Sequence, residues 1–234
     1  MRDKAKNWNE RVIRYIRQLV FGFEDALVST LGAITGIAGG SHDNFVVVLA
    51  GMVIIFVESL SMGVGAYLSS KSEREVVEAV AKKEKELISQ DIEGEKREIR
   101  RYLKKYKFTP EEIEKVVERL IARPKMLFEE MMLHEYQMFP EPKQRSLKRG
   151  LVMWLSYFVG GFFPVLPYLF FPIEIAFNTS ITVTVIILFL FGAVKTRFTA
   201  RPWWKSGAEM AILSVSAALI GYVVGRLVAI SFGV

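Results

Sequence analysis

Five runs of this chain are long, apolar and poor in charge: 19–40, 44–69, 150–171, 175–194 and 206–230. That feature decides the class of fold before any other. In hydrocarbon no water is present to bond a free N–H or C=O, so only a helix or a closed barrel can cross. Crossing ~30 Å of hydrocarbon takes roughly 20 helical residues, and each run meets that length. The pattern predicts an all-α integral membrane protein with five transmembrane helices. The first run does not read as a signal peptide, because it follows a charged tail of 18 residues and is longer than a secretory apolar segment.

Charge is concentrated elsewhere. Of 56 Asp, Glu, Lys and Arg residues, 37 fall between Lys71 and Arg149. This division excludes a single soluble globular domain. It splits the chain into a tail (1–18), spans one and two (19–70), a polar insert (71–149) and spans three to five (150–234). The net charge of +6 sits largely beside membrane segments, so it is not the footprint of a nucleic-acid binder. With no cysteine in the chain, disulfides, thiolate metal sites and cysteine nucleophiles are excluded.

The basic residues set an orientation. Arg2, Lys4, Lys6, Arg11, Arg14 and Arg17 lie in the tail, and Lys195, Arg197, Arg201 and Lys205 lie between spans four and five. The short linkers after spans one and three carry no Lys or Arg. The positive-inside rule then places the N-terminus and the insert in the cytoplasm and the C-terminus opposite, with Arg226 snorkelling at the outer end. Trp8, Val12, Ile16 and Leu19 share one helical face, which predicts a tail lying on the leaflet. Trp154, Trp203 and Trp204 suit interfacial belts.

Carboxylates inside a span are costly, by about 3 kcal/mol on mild scales, and normally face protein or a water-filled path. The first span holds Glu24 and Asp25, and the second holds Glu58. Asp25, Ser29, Gly32 and Gly36 fall on one narrow face, so Asp25 is expected to point at another helix. Glu58, Met62 and Gly65 form a similar stripe. The two spans run in opposite directions, which brings Met62 to a depth close to that of Asp25. Glu209, four residues after Lys205, reads as half of an interfacial ion pair.

The insert reads as three helices, approximately 72–105, 110–122 and 125–138, with Pro110, Pro124 and Pro140 at boundaries. Thr109-Pro110-Glu111-Glu112 is an N-cap followed by a first turn, and the first helix has a possible break near Gly94. In an unbroken helix Glu84, Asp91, Glu95 and Glu98 would share a face. The third helix offers Met131, Met132, His134 and Glu135. Carboxylate, imidazole and thioether groups together suit a transition metal such as Fe²⁺ better than Mg²⁺ or Ca²⁺. A Glu- and Lys-rich helix is more often a solvated face, and Met131 or Met132 more often core.

Four segments in order carry a family resemblance: Glu24-Asp25-Ala26-Leu27 with Gly32-Ala33-Ile34-Thr35-Gly36; Ser61-Met62-Gly63-Val64-Gly65-Ala66-Tyr67-Leu68 with Lys71-Ser72-Glu73; Phe128-Glu129-Glu130-Met131-Met132-Leu133-His134-Glu135; and Gly160-Gly161-Phe162-Phe163-Pro164-Val165-Leu166-Pro167-Tyr168. Over nearly its whole length the chain resembles the vacuolar iron transporter family. The resemblance implies a homodimer of five-helix subunits, a cytoplasmic metal-binding insert, and export of cytosolic Fe²⁺ in exchange for protons. It implies that Asp25 and Met62 contact the moving ion, and that Glu84, Glu95, Glu98, Glu135 and Met131 or Met132 bind metal in the insert. The chain departs from the family at three places. Leu87 stands where a further glutamate is usual, so that ligand is either missing or replaced, with Asp91 the candidate. Gln18 stands where a second aspartate is usual. Glu58 lies four residues before Met62, where the family glutamate lies eight before.

The reading is therefore a transporter and not an enzyme, with Fe²⁺ as substrate, Mn²⁺ as the alternative ion, and no organic cofactor. The transport path would include Asp25, Glu58 and Met62. The membrane would be the cell membrane in a prokaryote and a vacuolar-type membrane in a eukaryote. A di-iron enzyme would need Glu-x-x-His motifs, yet Met131 stands three before His134, and His42 is the only other histidine. The remaining rival is a membrane-anchored metal-binding or sensing protein without transport.

Overall fold

The computed structural model describes residues 2–138, 142–198 and 201–232, with side chains from Tyr15 onward, Phe198 excepted. The described residues are helical apart from short turns. They form α1 (Arg2–Ser41), α2 (Asn44–Gln90), α3 (Ile92–Lys105), α4 (Pro110–Ile121), α5 (Pro124–His134), α6 (Gln144–Phe170), α7 (Ile173–Lys195) and α8 (Trp203–Phe232), with a 3₁₀ turn at Thr196–Phe198. Five of these, α1, α2, α6, α7 and α8, are long and apolar enough to cross a membrane. The expected leaflet-facing Trp8 and Val12 lie outside the described side chains, and the boundary expected at Pro140 lies outside the described residues. Two compact units result: one of 1–68 with 146–234, the other of 69–145.

In the membrane-spanning unit, the turn between α1 and α2 is built by local chemistry. His42 takes φ 51, the left-handed conformation that ends a helix. The Asp43 carboxylate then accepts from the N–H of Phe45 at 2.7 Å and of Val46 at 3.4 Å, capping α2. Asn44 donates to the Phe171 carbonyl at 2.8 Å, which ties together the two turns that lack Lys and Arg.

Close approach of backbones holds α1 to α8. A Cβ built on Gly36 would lie 2.6 Å from the Gly221 carbonyl oxygen, and one on Gly40 would lie 3.3 Å from that of Gly225. In return, a Cβ on Gly221 or Gly225 would collide with the carbonyl of Gly32 or Gly36. Lipid tails are as apolar as leucine, so such packing of small residues, and not a hydrophobic drive, holds membrane helices together. The small face of α1 thus faces a helix, as its residue pattern predicts, and α8 is the partner. On α8, Ser206, Gly207, Met210, Ser214 and Ala218 are buried, while Ile212, Leu219, Val223 and Leu227 are exposed, as a lipid-facing side requires.

Two apolar clusters fill the interior of this unit. Ile34, Val47, Ile55, Val165, Tyr168 and Ala176 join α1, α2, α6 and α7. Leu27, Leu188 and Met210 join α1, α7 and α8. α6 contains Pro164 and Pro167, each of which removes a helical N–H donor. Buried Ser180 on α7 donates to the Pro164 carbonyl at 2.6 Å and pins this weakened stretch. Glu209 pairs with Arg201 at 3.5 Å rather than with Lys205, whose ammonium lies over the Trp204 ring at 5.4 Å.

The second unit packs α3, α4 and α5 around Ile99, Leu103, Ile113, Val117, Leu120, Leu127 and Met131. Thr109 caps α4 as the sequence predicts: its hydroxyl accepts from the Glu112 N–H at 3.4 Å, and the Glu112 carboxylate accepts from the Thr109 N–H at 2.8 Å. Arg100 on α3 grips Glu114 on α4 through two bonds of 2.7 and 2.8 Å. The expected helix 72–105 is divided, at Asp91 rather than near Gly94. The Asp91 side chain accepts from the Gly94 N–H at 2.8 Å and starts a new helix.

Candidate functional site

The divided helix changes how the acidic residues meet. Glu84 belongs to α2, Glu95 and Glu98 to α3, and Glu135 follows α5. A single unbroken face does not exist, but the packing of three elements brings these four carboxylates within electrostatic reach of one another. Glu84 is 0% exposed and Glu95 7%. Burying a carboxylate is costly unless it is paired, yet Glu84 Oε1 and Glu95 Oε2 have no hydrogen-bond partner. The other Glu84 oxygen accepts from the Tyr136 hydroxyl at 3.3 Å.

The electrostatics follow from this crowding. Burial first, then Glu84, Glu98 and Glu135, push the Glu95 carboxyl up to about 7. Burial and Glu135 also raise Glu84, against the opposing bond from Tyr136. Tyr136 is itself raised, by burial and by the two glutamates beside it. Among the described residues, no three Asp, Glu or His side chains are gathered as tightly as a bound ion requires. What the cluster offers is two buried, unpartnered oxygens with two further carboxylates nearby, donors of the type divalent cations take but not gathered about one point.

The remaining candidates divide. Met131 lies in the core of the second unit and also lines a cavity of about 600 Å³ with Glu98, Tyr102, His134 and Glu135. Met132 packs with Val77 and Ala81. Asp91 is exposed, occupied with the Gly94 N–H and 3.6 Å from Arg97, and so stands at the margin of the cluster. Leu87, where a glutamate is usual in the family resembled, is 37% exposed.

In the membrane-spanning unit, Asp25 lines a groove of about 860 Å³ along the α1–α8 seam with Ser29, Gly32, Gly36, Gly221 and Gly225. Glu58 on α2 interacts electrostatically with Asp25. Its carboxylate accepts from the hydroxyl of Tyr157 on α6 and from Ser29 on α1 at 3.5 Å. The Ser29 and Tyr157 hydroxyls are themselves 2.7 Å apart. Met62, half-buried, follows Glu58 by one turn. Glu24 sits half-buried within reach of Lys195, Glu209 and Asp25.

Sequence reasoning passed over Tyr157 and Tyr136. Each carried a signal: a phenol inside a span needs a polar partner, and Tyr136 directly follows a candidate ligand.

The sequence profile of the VIT family matches residues 16–226. Vacuolar iron transporter 1 of Oryza sativa subsp. japonica is 32% identical over 209 residues, covering 88% of this chain and 82% of that protein. Vacuolar iron transporter 1 of Arabidopsis thaliana is 30% identical over 215 residues, covering 91% and 86%. The vacuolar iron transporter of Toxoplasma gondii is 27% identical, covering 99% and 80%. Five apolar helices, an acidic cluster in a separate helical unit and intramembrane carboxylates are thus joined to a match over most of the chain, and the chain belongs to the VIT family of membrane proteins.

Proposed function

We propose that this protein carries Fe²⁺ out of the cytosol in exchange for protons, with Mn²⁺ the alternative ion. Metal-ion transport is supported by the relatives, which are named as iron transporters. The observation that carries the reading is Asp25: a carboxylate in the first span, on the wall of a groove and beside a second carboxylate, Glu58. Such a group in a membrane is expensive and serves an ion or proton path.

In this reading Glu84, Glu95, Glu98 and Glu135, with Met131 or Met132, collect the ion in the cytoplasm, and Asp91 adds negative charge at the edge. The ion then passes to Asp25 and Met62. A carboxylate binds either a proton or a metal, so protons entering from the far side displace the ion, and metal binding releases protons. The basic residues flanking the spans favour a cytoplasmic tail and insert. The working unit is a homodimer, with no organic cofactor and no enzymatic step.

The test is transport in sealed liposomes holding a metal-sensitive dye. Under reducing conditions, Fe²⁺ or Mn²⁺ is added with a pH gradient of either sign, to the wild type and to Asp25→Asn. Gradient-dependent uptake lost in the variant is expected. Metal binding with no flux in either gradient overturns the proposal and leaves a membrane-anchored metal-binding or sensing protein.

A further inference from the structure

Glu58 presents a problem that its hydrogen bonds solve. The residue is exposed, so its long flexible side chain could turn away from the neighbouring helices. Two hydroxyls prevent this. Tyr157 is wholly buried in the interior and sends only its hydroxyl to Glu58. Ser29, one turn from Asp25 on the same helix, reaches the same carboxylate oxygen, Oε2.

We propose that Tyr157, braced by Ser29, is the positioning residue that turns the Glu58 carboxylate inward, beside Asp25. The inference rests on the transport reading above for its functional meaning, and on geometry alone for the positioning itself. Three elements meet here: α6 supplies the phenol, α1 the serine and α2 the acid. The titratable groups facing Glu58 are Tyr157 from α6 and Asp25 from α1.

The chemistry suits such a role. A tyrosine hydroxyl donates one hydrogen bond and accepts others. It can donate to Glu58 in the carboxylate form, while the one Ser29 proton goes either to the same carboxylate oxygen or to the phenol oxygen 2.7 Å away. If Glu58 carries a proton, its O–H can instead donate to that phenol oxygen, and the hydroxyls reorient without any helix moving. The clamp therefore holds Glu58 in one place through either state. Tyr157 is a rigid lever for this purpose, because its ring is fixed by burial and only its tip is polar.

Two readouts test this on the purified full-length protein. The first is infrared difference spectroscopy, which identifies the Glu58 carboxyl band by its loss in Glu58→Gln. In Tyr157→Phe the band is expected to shift, as it must when a donor is removed. The second is flux in liposomes under an imposed pH gradient, compared with flux without one. Tyr157→Phe and Glu58→Gln are each expected to lower the gradient-driven component, and the double variant to lower it no further than either alone, because both break one linkage. A band unmoved in Tyr157→Phe, or losses that add in full, overturns the proposal. If Tyr157→Phe does not fold, Ser29→Ala removes the second donor and is read in the same way. If the wild type moves no metal, the transport reading fails, while the infrared band still decides whether Tyr157 positions Glu58.

Discussion

The Asp91 carboxylate occupies the space that a side chain on Gly94 would need. This relationship explains both residues at once. Asp91 ends the long second helix and starts the third by accepting from the Gly94 N–H, and Gly94 leaves room for it. A carboxylate at the first turn also complements the positive end of the helix dipole.

That arrangement separates capping from metal binding. Asp91→Ala is expected to cost about 1 kcal/mol of stability, the usual penalty for a lost N-cap. Asp91→Ser restores most of it, since serine caps as well as aspartate. Metal affinity, measured by calorimetry on the full chain, is expected to change little in Asp91→Ser and to fall by an order of magnitude or more in Glu95→Gln. Equal losses in both would make Asp91 a ligand.

Glu95 gives the folded protein a defined pH dependence. Its carboxyl is raised from 4.5 to about 7, so the native state binds this proton more tightly than the unfolded chain does. The contribution to stability is fully present below the unfolded value, declines as pH rises through the interval, and is lost above about 7. Without metal, the melting temperature of the second unit should fall between pH 5 and pH 8, and Glu95→Gln should flatten that fall. A bound divalent ion should reverse the trend, because it takes the place of the proton.

The two methionines can be told apart by a volume-conserving change. Met131→Leu and Met132→Leu should each cost less than about 1.5 kcal/mol, since leucine fills a similar space. A variant that keeps its melting temperature but loses Fe²⁺ affinity identifies the thioether that binds. If neither loses affinity, the cluster is made of oxygen donors alone.

The seam between α1 and α8 predicts a sharp contrast among glycines. Gly221→Ala drives a methyl group into the backbone of α1 and should destabilise by about 1–3 kcal/mol or more, as overpacking does. Gly65→Ala meets nothing within 4 Å and should be neutral or raise stability by a few tenths of a kcal/mol, through better helix propensity. Thermal unfolding in detergent compares the two directly.

How far the sequence foretold this structure depends on whether a feature is local. Each span was legible because a run of about 20 apolar residues has no other stable fate in lipid. The Thr109–Glu112 cap was legible because its parts lie three residues apart. The helix break was placed near Gly94 because glycine is a poor helix former, whereas the actual break comes at the residue glycine makes room for. The polar face of α1 was legible, but its partner was not, although Gly221 and Gly225 carry the spacing of a packing motif. The link from Glu58 to Tyr157 joins residues 99 positions apart, and no spacing rule reaches that distance. Among the acidic residues, the grouping of Glu84 with Glu95 and Glu98 was expected along one helix and is achieved across two.

The clasp of α1 on α8 also bears on how such a chain is made. Spans enter a membrane in the order of synthesis, yet the first of these five has its glycine-rich face completed by the last. Until α8 arrives, the carbonyls exposed by Gly32 and Gly36 have no neighbour of matching shape. Three spans and the whole charged unit must be laid down before that glycine face is packed. A lesion in α8 should therefore be felt as lost packing of a span made long before it.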